Sequence, residues 1–134
     1  MNDGGAYRAA VRLLAASDKT PEELCERLAG KGFSEEEASE AVLRLIREGF
    51  LRALDYAQKT VDRLFGSYYG RGYITAYMQG RKFSEEALSY ALDYMKSLDF
   101  DGKAREYYKK LISEGKTKDN ARKALYRRGY GDDT

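Results

Sequence analysis

The chain repeats itself at an interval of 50 residues, and this repeat constrains the fold more than any single motif. Residues 33–36 (Phe-Ser-Glu-Glu) return unchanged as residues 83–86. A third copy follows 47 residues later, where residues 128–130 (Arg-Gly-Tyr) match residues 81–83 (Arg-Lys-Phe). Such copies are typical of tandem units that pack against their neighbours along the chain.

Within each copy the apolar residues recur at intervals of three and four, which is the period of helices and not of strands. Each complete copy is predicted to hold three short helices. The second helix is the weakest, because it carries only one i, i+4 apolar pair and depends on its neighbours for burial. The first and third helices are each predicted to bury one apolar face. These faces consist of Tyr7, Ala10, Val11, Leu14; Ala38, Ala41, Val42, Leu45, Ile46; Ala57, Val61, Leu64; Leu88, Ala91, Leu92, Met95; and Ala104, Tyr107, Tyr108, Leu111.

Capping signals divide the chain at the same places. Thr20 precedes a proline and has Glu23 three residues later, and Ser34 stands in the same relation to Glu37, so both pairs predict capping boxes. Ser84 and Thr117 are predicted to cap helices in the same way. The Gly-Phe pair at residues 32–33 and the Gly-Tyr pair at residues 129–130 are typical of helix C-termini.

These patterns predict an all-α fold in which tandem three-helix repeats stack into an elongated, curved solenoid of about eight helices. The predicted repeats are residues 1–54, residues 55–100 and a partial, two-helix repeat at residues 101–134, since only three residues follow Gly131. One copy of about 50 residues has little interior. We therefore expect neighbouring copies to bury the apolar surface that each leaves exposed.

Composition excludes several classes of function. Histidine is absent, which removes the commonest general base and metal ligand, and the lone Cys25 cannot form an internal disulfide. We expect Cys25 to be a packing residue, and we expect no enzyme activity, catalytic residue, metal or cofactor. With a mean hydropathy of −0.70 and no long apolar run or secretion signal, we expect a cytoplasmic protein without a membrane or small-molecule partner.

Positive charge concentrates in the third copy, where residues 101–134 hold ten basic and six acidic side chains. Lys118 and Arg122 repel each other at i, i+4 unless an anion lies nearby. An anionic partner is one interpretation, and a solvated face with internal partners such as Asp119 is the other. The candidate binding residues here are Lys109, Lys110, Lys116, Lys118, Arg122, Lys123, Arg127 and Arg128.

Tyrosines form a second candidate site in the middle copy. The chain has 12 tyrosines and no tryptophan, and several lie close together beside arginines. Tyrosines in such a setting stack on nucleic-acid bases or anchor protein interfaces, although tyrosines at helical spacing are also common at the edge of a core. The candidates are Tyr68, Tyr69 and Arg71, with Tyr73, Tyr77 and Arg81 beside them.

Several short motifs follow one another in a fixed order along nearly the whole chain. They are Leu13-Leu14, Thr20, Glu23-Leu24, Leu28, Lys31-Gly32-Phe33-Ser34, Leu45, Gly49-Phe50-Leu51, Tyr56-Ala57, Ile74 and Phe83-Ser84. In their order and spacing, more than in any one motif, they resemble the RecX family of regulatory proteins. After the position of Leu51 that family usually has acidic residues, whereas this chain has Arg52-Ala53 and then Asp55.

Resemblance to RecX implies a curved module of three-helix repeats that binds in the groove of the RecA filament on DNA. It further implies inhibition of RecA recombinase and coprotease activity, and thereby restraint of recombination and the SOS response, without catalysis. It assigns no individual binding residue. The basic copy and the tyrosines leave a second hypothesis open, a helical module that binds single- or double-stranded DNA without RecA.

Overall fold

The structure, a computed structural model, describes residues 4–131, and this part of the chain contains eight α-helices and no strand. None of these helices is both long and apolar enough to cross a membrane. The predicted all-α class and the predicted number of helices are confirmed. In chain order the helices are α1 (Gly5–Ala16), α2 (Pro21–Gly30), α3 (Glu35–Arg47), α4 (Ala53–Gly66), α5 (Arg71–Gly80), α6 (Glu85–Met95), α7 (Phe100–Ser113) and α8 (Lys118–Arg127).

The helices begin at the predicted caps. The Thr20 hydroxyl accepts a hydrogen bond from the Glu23 amide at 3.0 Å, and the Glu23 carboxylate accepts one from the Thr20 amide at 3.0 Å. Ser34 and Glu37 form the same reciprocal pair at the start of α3. These bonds satisfy amides that have no partner inside the helix. Ser84 and Thr117 each accept one backbone amide at the start of α6 and α8.

Several helices are followed by a residue in the left-handed backbone conformation. The sequence predicts two of these helix ends, at residues 32–33 and 129–130. Gly32 and Gly129 have φ values of 99° and 94°, and the aromatic residue after each one donates its amide back to the last helical turn. In the second copy Lys82 takes this conformation with φ 63°, although a side chain there is strained.

The helices form three groups: the first helix group (α1–α3), the second (α4–α6) and the third (α7 and α8). Helix packing is concentrated within the groups. The predicted divisions at residues 54/55 and 100/101 remain predictions, and they fall within the first turns of α4 and α7, which begin at Ala53 and Phe100.

Each group has its own buried cluster, and residues from the third group add to the second one. The first cluster is centred on Leu24, Leu28 and Leu45, which are at most 1% exposed. The second is larger and also receives Tyr130 from the end of the third group. Phe100 and Tyr130 of the third group help to close the second core, whereas the buried residues of the first core all come from residues 6–51. Stacking therefore buries apolar surface at the second junction more than at the first.

Three residues assigned to core faces point outward. Val11, Ile46 and Leu92 are 40%, 44% and 43% exposed, so their assignment to the core was wrong. Short helices packed on small residues bury a narrow stripe, here Ala6 and Ala10 in α1. A residue at the edge of the apolar stripe then remains in solvent.

The second and third groups meet through their backbones at two glycines. The Gly70 amide donates to the Arg128 carbonyl at 2.7 Å, and the Gly72 amide donates to the Gly129 carbonyl at 3.3 Å. A Cβ atom at Gly70 would lie 2.5 Å from the Gly129 carbonyl carbon. The start of α5 therefore supplies donors to the end of α8, at a distance that only glycine permits.

We predict that Gly70→Ala destabilises the protein by about 1–3 kcal/mol, because the added methyl group must push two backbones apart. Thermal unfolding followed by circular dichroism measures the change. Gly80→Ala is the matched control, since a Cβ atom there meets nothing within 4 Å and alanine favours the helix. Equal stability of Gly70→Ala and the unchanged protein would show that this junction is loose.

Tyr130 provides a second prediction at the same junction. Its ring is buried, its hydroxyl has no hydrogen-bond partner among the described residues, and burial raises its pKa to about 12. We expect Tyr130→Phe to raise the free energy of unfolding by up to about 1 kcal/mol at pH 7, because an unpaired buried hydroxyl is removed. A folded-state pKa above the unfolded value makes the unchanged protein lose stability as pH rises above about 10.

The phenylalanine variant lacks this loss, so the stability difference between the two proteins should widen between pH 9 and pH 11. Urea unfolding at both pH values measures it. A variant that is less stable than the unchanged protein at pH 7 would mean that the hydroxyl is hydrogen-bonded in solution.

Candidate partner-binding surfaces

The predicted basic residues all lie in the third helix group. Lys109 and Lys110 are on α7, Lys116 is in the turn that follows, and Arg128 caps the end of α8. The others project from α8 itself. All are exposed except Arg128, which is half-buried; those on α8 are Lys118, Arg122, Lys123 and Arg127.

Three of these cations have partners within the protein. Lys110 pairs with Glu114 at 2.6 Å, and Lys123 pairs with Asp119 at 3.3 Å. The Arg128 guanidinium donates to the Ser67 carbonyl at 2.8 Å and lies 4.4 Å from the centre of the Tyr69 ring. Lys110 and Lys123 fit the interpretation of a solvated face with internal partners, and Arg128 joins the third group to the second.

The other five candidates, and also Arg105 on α7, form no ion pair with any residue between 4 and 131. We call these six residues the unpaired cations: Arg105, Lys109, Lys116, Lys118, Arg122 and Arg127. Their positive charges, on α7, on α8 and in the turn between these helices, repel one another and attract an anionic surface. For the unpaired cations, the interpretation that they bind an anionic partner therefore stays open, because no carboxylate of the described residues neutralises them.

Tyr126 is a candidate that sequence reasoning missed. It is 71% exposed and lies four residues after Arg122, which lies four residues after Lys118. Residues four apart share one side of a helix, so the three side chains form a line along α8. The four-residue spacing of Lys118, Arg122 and Tyr126 is visible in the sequence. However, Tyr126 directly follows Leu125 of the apolar pair Ala121 and Leu125, so the sequence does not show that its ring is exposed.

Tyr68 and Arg71 are engaged inside the molecule. The Tyr68 ring stacks on Tyr107 with centroids 4.9 Å apart, and its hydroxyl donates to Glu106 at 2.8 Å. Tyr68 has a φ of 68°, a conformation that this stacking and hydrogen bonding hold in place. The Arg71 guanidinium lies 4.7 Å from the centre of the Phe100 ring. Both side chains thus join the second group to the third, and their role in binding a partner remains a prediction.

Tyr69 lies in a row of stacked rings along α5. Its centroid is 4.1 Å from that of Tyr73, which is 6.4 Å from that of Tyr77. We call these three residues the tyrosine row. Tyr73 is the most accessible of them at 36% exposure. The row lies between Arg128 at one end and Arg81 at the other.

The Arg81 end of the row is also the junction between the first and second groups. Arg81 donates from Nε to the Glu23 carboxylate at 2.7 Å and from Nη2 at 3.3 Å, and its Nη1 donates to the Tyr77 hydroxyl at 3.0 Å. Burial raises the pKa of Tyr77, but the hydrogen bonds from Arg63 and Arg81 outweigh it, so the net pKa is lowered. Lys82 pairs with Glu26 beside it.

A polar cavity of about 190 Å³ lies at this junction. Lys19 lines it and is only 5% exposed, and its ammonium donates to the Leu13 carbonyl at 2.8 Å and to the Ser17 hydroxyl at 2.8 Å. Burial, followed by repulsion from Arg27, lowers the pKa of Lys19. Lys19, Arg81 and Lys82 each have internal partners, whereas Arg27, which also lines the cavity, is exposed and forms no ion pair with the described residues. The cavity thus lies between two helix groups whose contact is mainly polar.

The one cysteine, Cys25, lies in the part of the chain that the structure describes. No cluster of carboxylates and Cys25 there could hold a metal ion. Cys25 packs against the first core, and burial raises the pKa of its thiol, which disfavours the nucleophilic thiolate. What the described surface offers is charge and aromatic rings for binding.

Comparison with known proteins points to one family. Residues 6–45 match the family described as RecX, first three-helix domain. The regulatory protein RecX of Trichlorobacter lovleyi is 47% identical over 66 residues, which are 48% of this chain and 43% of that protein. The match therefore spans less than half of the curated relative's length. The predicted resemblance to the RecX family is confirmed.

Two solved structures share the fold. A crystal structure of RecX from Lactobacillus salivarius superposes with a TM-score of 0.82 at 19% identity, over 98% of this chain and 90% of that one. A crystal structure of a regulatory protein RecX gives a TM-score of 0.78 at 16% identity, over 98% and 69% of the two chains. Coverage of almost the whole chain confirms the predicted stack of helical repeats.

The junction between the first two groups yields a prediction about Glu23. Burial raises the pKa of Glu23, but hydrogen bonds from Arg81 and the Thr20 amide lower it by more than burial raises it. The pKa of Glu23 therefore lies below the ordinary value. A depressed folded-state pKa stabilises the protein above the unfolded value near 4.3, and the gain is lost as pH falls. We expect Glu23→Gln to lose about 1.5 kcal/mol at pH 7 and the loss to shrink below about pH 4.

Urea unfolding at pH 7 and pH 3.5 measures this difference. Glu26→Gln is the control, because its pair with Lys82 is about half exposed on both sides and contributes little. A Glu23→Gln deficit that is equal at both pH values would mean that packing, and not charge, explains the loss.

Proposed function

We propose that this chain, as a relative of the RecX regulatory proteins, binds the RecA filament on DNA and inhibits its recombinase and coprotease activity. Such inhibition restrains recombination and the SOS response. The observation that carries the proposal is the match of its first helix group to the first three-helix domain of RecX. The 47% identity to a RecX regulatory protein supports it.

The shape of the molecule suits a polymeric partner. A stable protein interface buries about 800 Å² on each side. Helix groups arranged in tandem can provide this interface area along one side of the molecule. A small compact domain would need a large fraction of its surface to provide the same area. A filament groove presents an equally long partner surface, so contacts with several subunits add up along the row of groups.

Inhibition of this kind needs no chemistry on the part of the chain. A protein that lies in the filament groove takes the space that a second DNA molecule or a cleavage substrate must enter. The proposed role is therefore that of a non-enzymatic binding protein in the cytoplasm, and it agrees with a sequence that contains no histidine.

The unpaired cations are the part of the surface that we assign to the filament. Opposite charge on RecA or on the DNA phosphates would speed association and align the third group. Lys118, Arg122 and Arg127 lie exposed on α8 and take no part in the hydrogen bonds and ring contacts that hold the third group to the second.

A second candidate is a module that binds DNA without RecA. The line of Lys118, Arg122 and Tyr126 favours it, since cations with an aromatic ring are typical of surfaces that hold single strands. The two functions differ in what they require. A DNA-binding module has a steep salt dependence on naked DNA, whereas a filament regulator binds much better once RecA is assembled.

Charge reversal tests the proposal. We expect the triple variant Lys118→Glu, Arg122→Glu, Arg127→Glu to bind RecA filaments at least about tenfold more weakly, because three attractive charges become repulsive. Co-sedimentation with RecA on single-stranded DNA measures binding, and RecA ATPase and strand exchange measure inhibition.

The matched control reverses three exposed cations of the first group, Arg12, Lys31 and Arg47, which changes net charge by the same amount. A loss specific to the α8 variant supports a role for this surface. Equal binding by the two variants removes α8 from the interface, and absence of binding by the unchanged protein contradicts the proposed function itself.

A further inference from the structure

Tyr126 is a highly exposed tyrosine that has no part in the contacts described above between the helix groups. Its side chain is 71% exposed, and it has no hydrogen bond or ring contact with any residue between 4 and 131. Other tyrosines on the surface are engaged: the Tyr90 hydroxyl donates to Gln58 at 2.7 Å, and Tyr94 donates to Asp62 at 2.5 Å. The ring of Tyr126 is thus free to meet a partner.

The cations beside Tyr126 are also free. Lys118 and Arg122 precede it at eight and four residues and belong to the unpaired cations. One helical step of four residues advances about 6 Å, so the three side chains are spaced evenly over about 12 Å. Two neighbouring positive charges repel, and an anion that contacts both relieves the repulsion.

The surroundings of Tyr126 favour a nucleic acid over a protein. A protein interface has a dehydrated apolar centre around its aromatic anchors. The exposed residues within four positions of Tyr126 on α8 are Arg122, Lys123 and Arg127, so its nearest exposed neighbours along the helix are cations and not apolar side chains. Asp119, seven residues before Tyr126, is paired with Lys123. Bases alternate with phosphates along a strand, and this alternation matches a ring beside evenly spaced charges.

The exposed ring of Tyr126 also favours a single strand over a duplex as the partner. In a duplex the base faces are stacked on one another, and an aromatic side chain on a helix surface has nothing to stack upon. In a single strand each base offers a face, and stacking of this kind tolerates any sequence.

We propose that the outer line of α8 binds single-stranded nucleic acid, with Tyr126 stacked on a base and with Lys118 and Arg122 at successive phosphates. This inference deepens the proposed function, on which it rests for the assignment of the third group as the binding side. It names the chemical partner of that side and the residue that contacts the base.

The absence of tryptophan from the chain allows a direct test. Tyr126→Trp introduces a single fluorescent indole, and stacking on a base quenches it when oligothymidylate of 20 nucleotides is added. Phe50→Trp is the matched control, because Phe50 is 67% exposed in the first group, which the inference does not involve. We expect strong quenching at position 126 and little at position 50.

Affinity provides the second measurement. In fluorescence anisotropy with the same labelled oligonucleotide, Tyr126→Ala should bind about tenfold more weakly, while Tyr126→Phe should bind nearly as well as the unchanged protein. Removal of Lys118 and Arg122 by alanine should lower the slope of log affinity against log salt by about 1.4, whereas Tyr126→Ala should leave this slope unchanged.

Unquenched tryptophan at position 126, or equal affinity of Tyr126→Ala and the unchanged protein, overturns the inference. Weaker binding of Tyr126→Ala to RecA filaments with no change on the oligonucleotide also overturns it, because Tyr126 then contacts protein. If oligonucleotide binding depends on Tyr126 while RecA activity is unaffected by the protein, the inference stands and the proposed function fails.

Discussion

The arrangement of the molecule depends on the point where the end of α8 meets the start of α5. Both helix ends leave backbone groups without partners inside their own helix, and the amides of Gly70 and Gly72 donate to the carbonyls of Arg128 and Gly129. The bonds require an approach that excludes a Cβ atom at Gly70. Because they join backbone to backbone, they set the direction of α8 relative to the second group and thereby the direction of the side chains that project from it.

The two junctions in the chain differ in kind. The second and third groups share backbone hydrogen bonds, the stacked rings of Tyr68 and Tyr107, and Tyr130 in the second core. The first and second groups share the ion pair of Arg81 with Glu23 and a more exposed one beside it. Ionic contacts weaken in salt, whereas buried packing does not. The junction of the second and third groups is therefore the more apolar of the two, and that of the first and second groups the more ionic.

Local signals in the sequence predict the helices and their ends well, because a capping box at Thr20 or a left-handed Gly129 is decided within a few residues. The core faces were predicted less well. Helical period locates the centre of an apolar stripe but not its width, so Val11 and Ile46 were assigned to the core. Contacts such as that of Arg71 with Phe100 join different helix groups, and no spacing along the chain indicates them.

The distribution of acidic residues on α8 gives the helix two different sides. Asp119 precedes Lys123 by four residues and pairs with it, so that side of the helix is partly neutralised. Asp119 also lies directly after Lys118 and three residues before Arg122, but it forms an ion pair with neither of them. Four-residue spacing leads from Lys118 through Arg122 to Tyr126. Repulsion between Lys118 and Arg122 costs the isolated protein up to a few tenths of a kcal/mol, and contact with a polyanion along α8 would remove that cost.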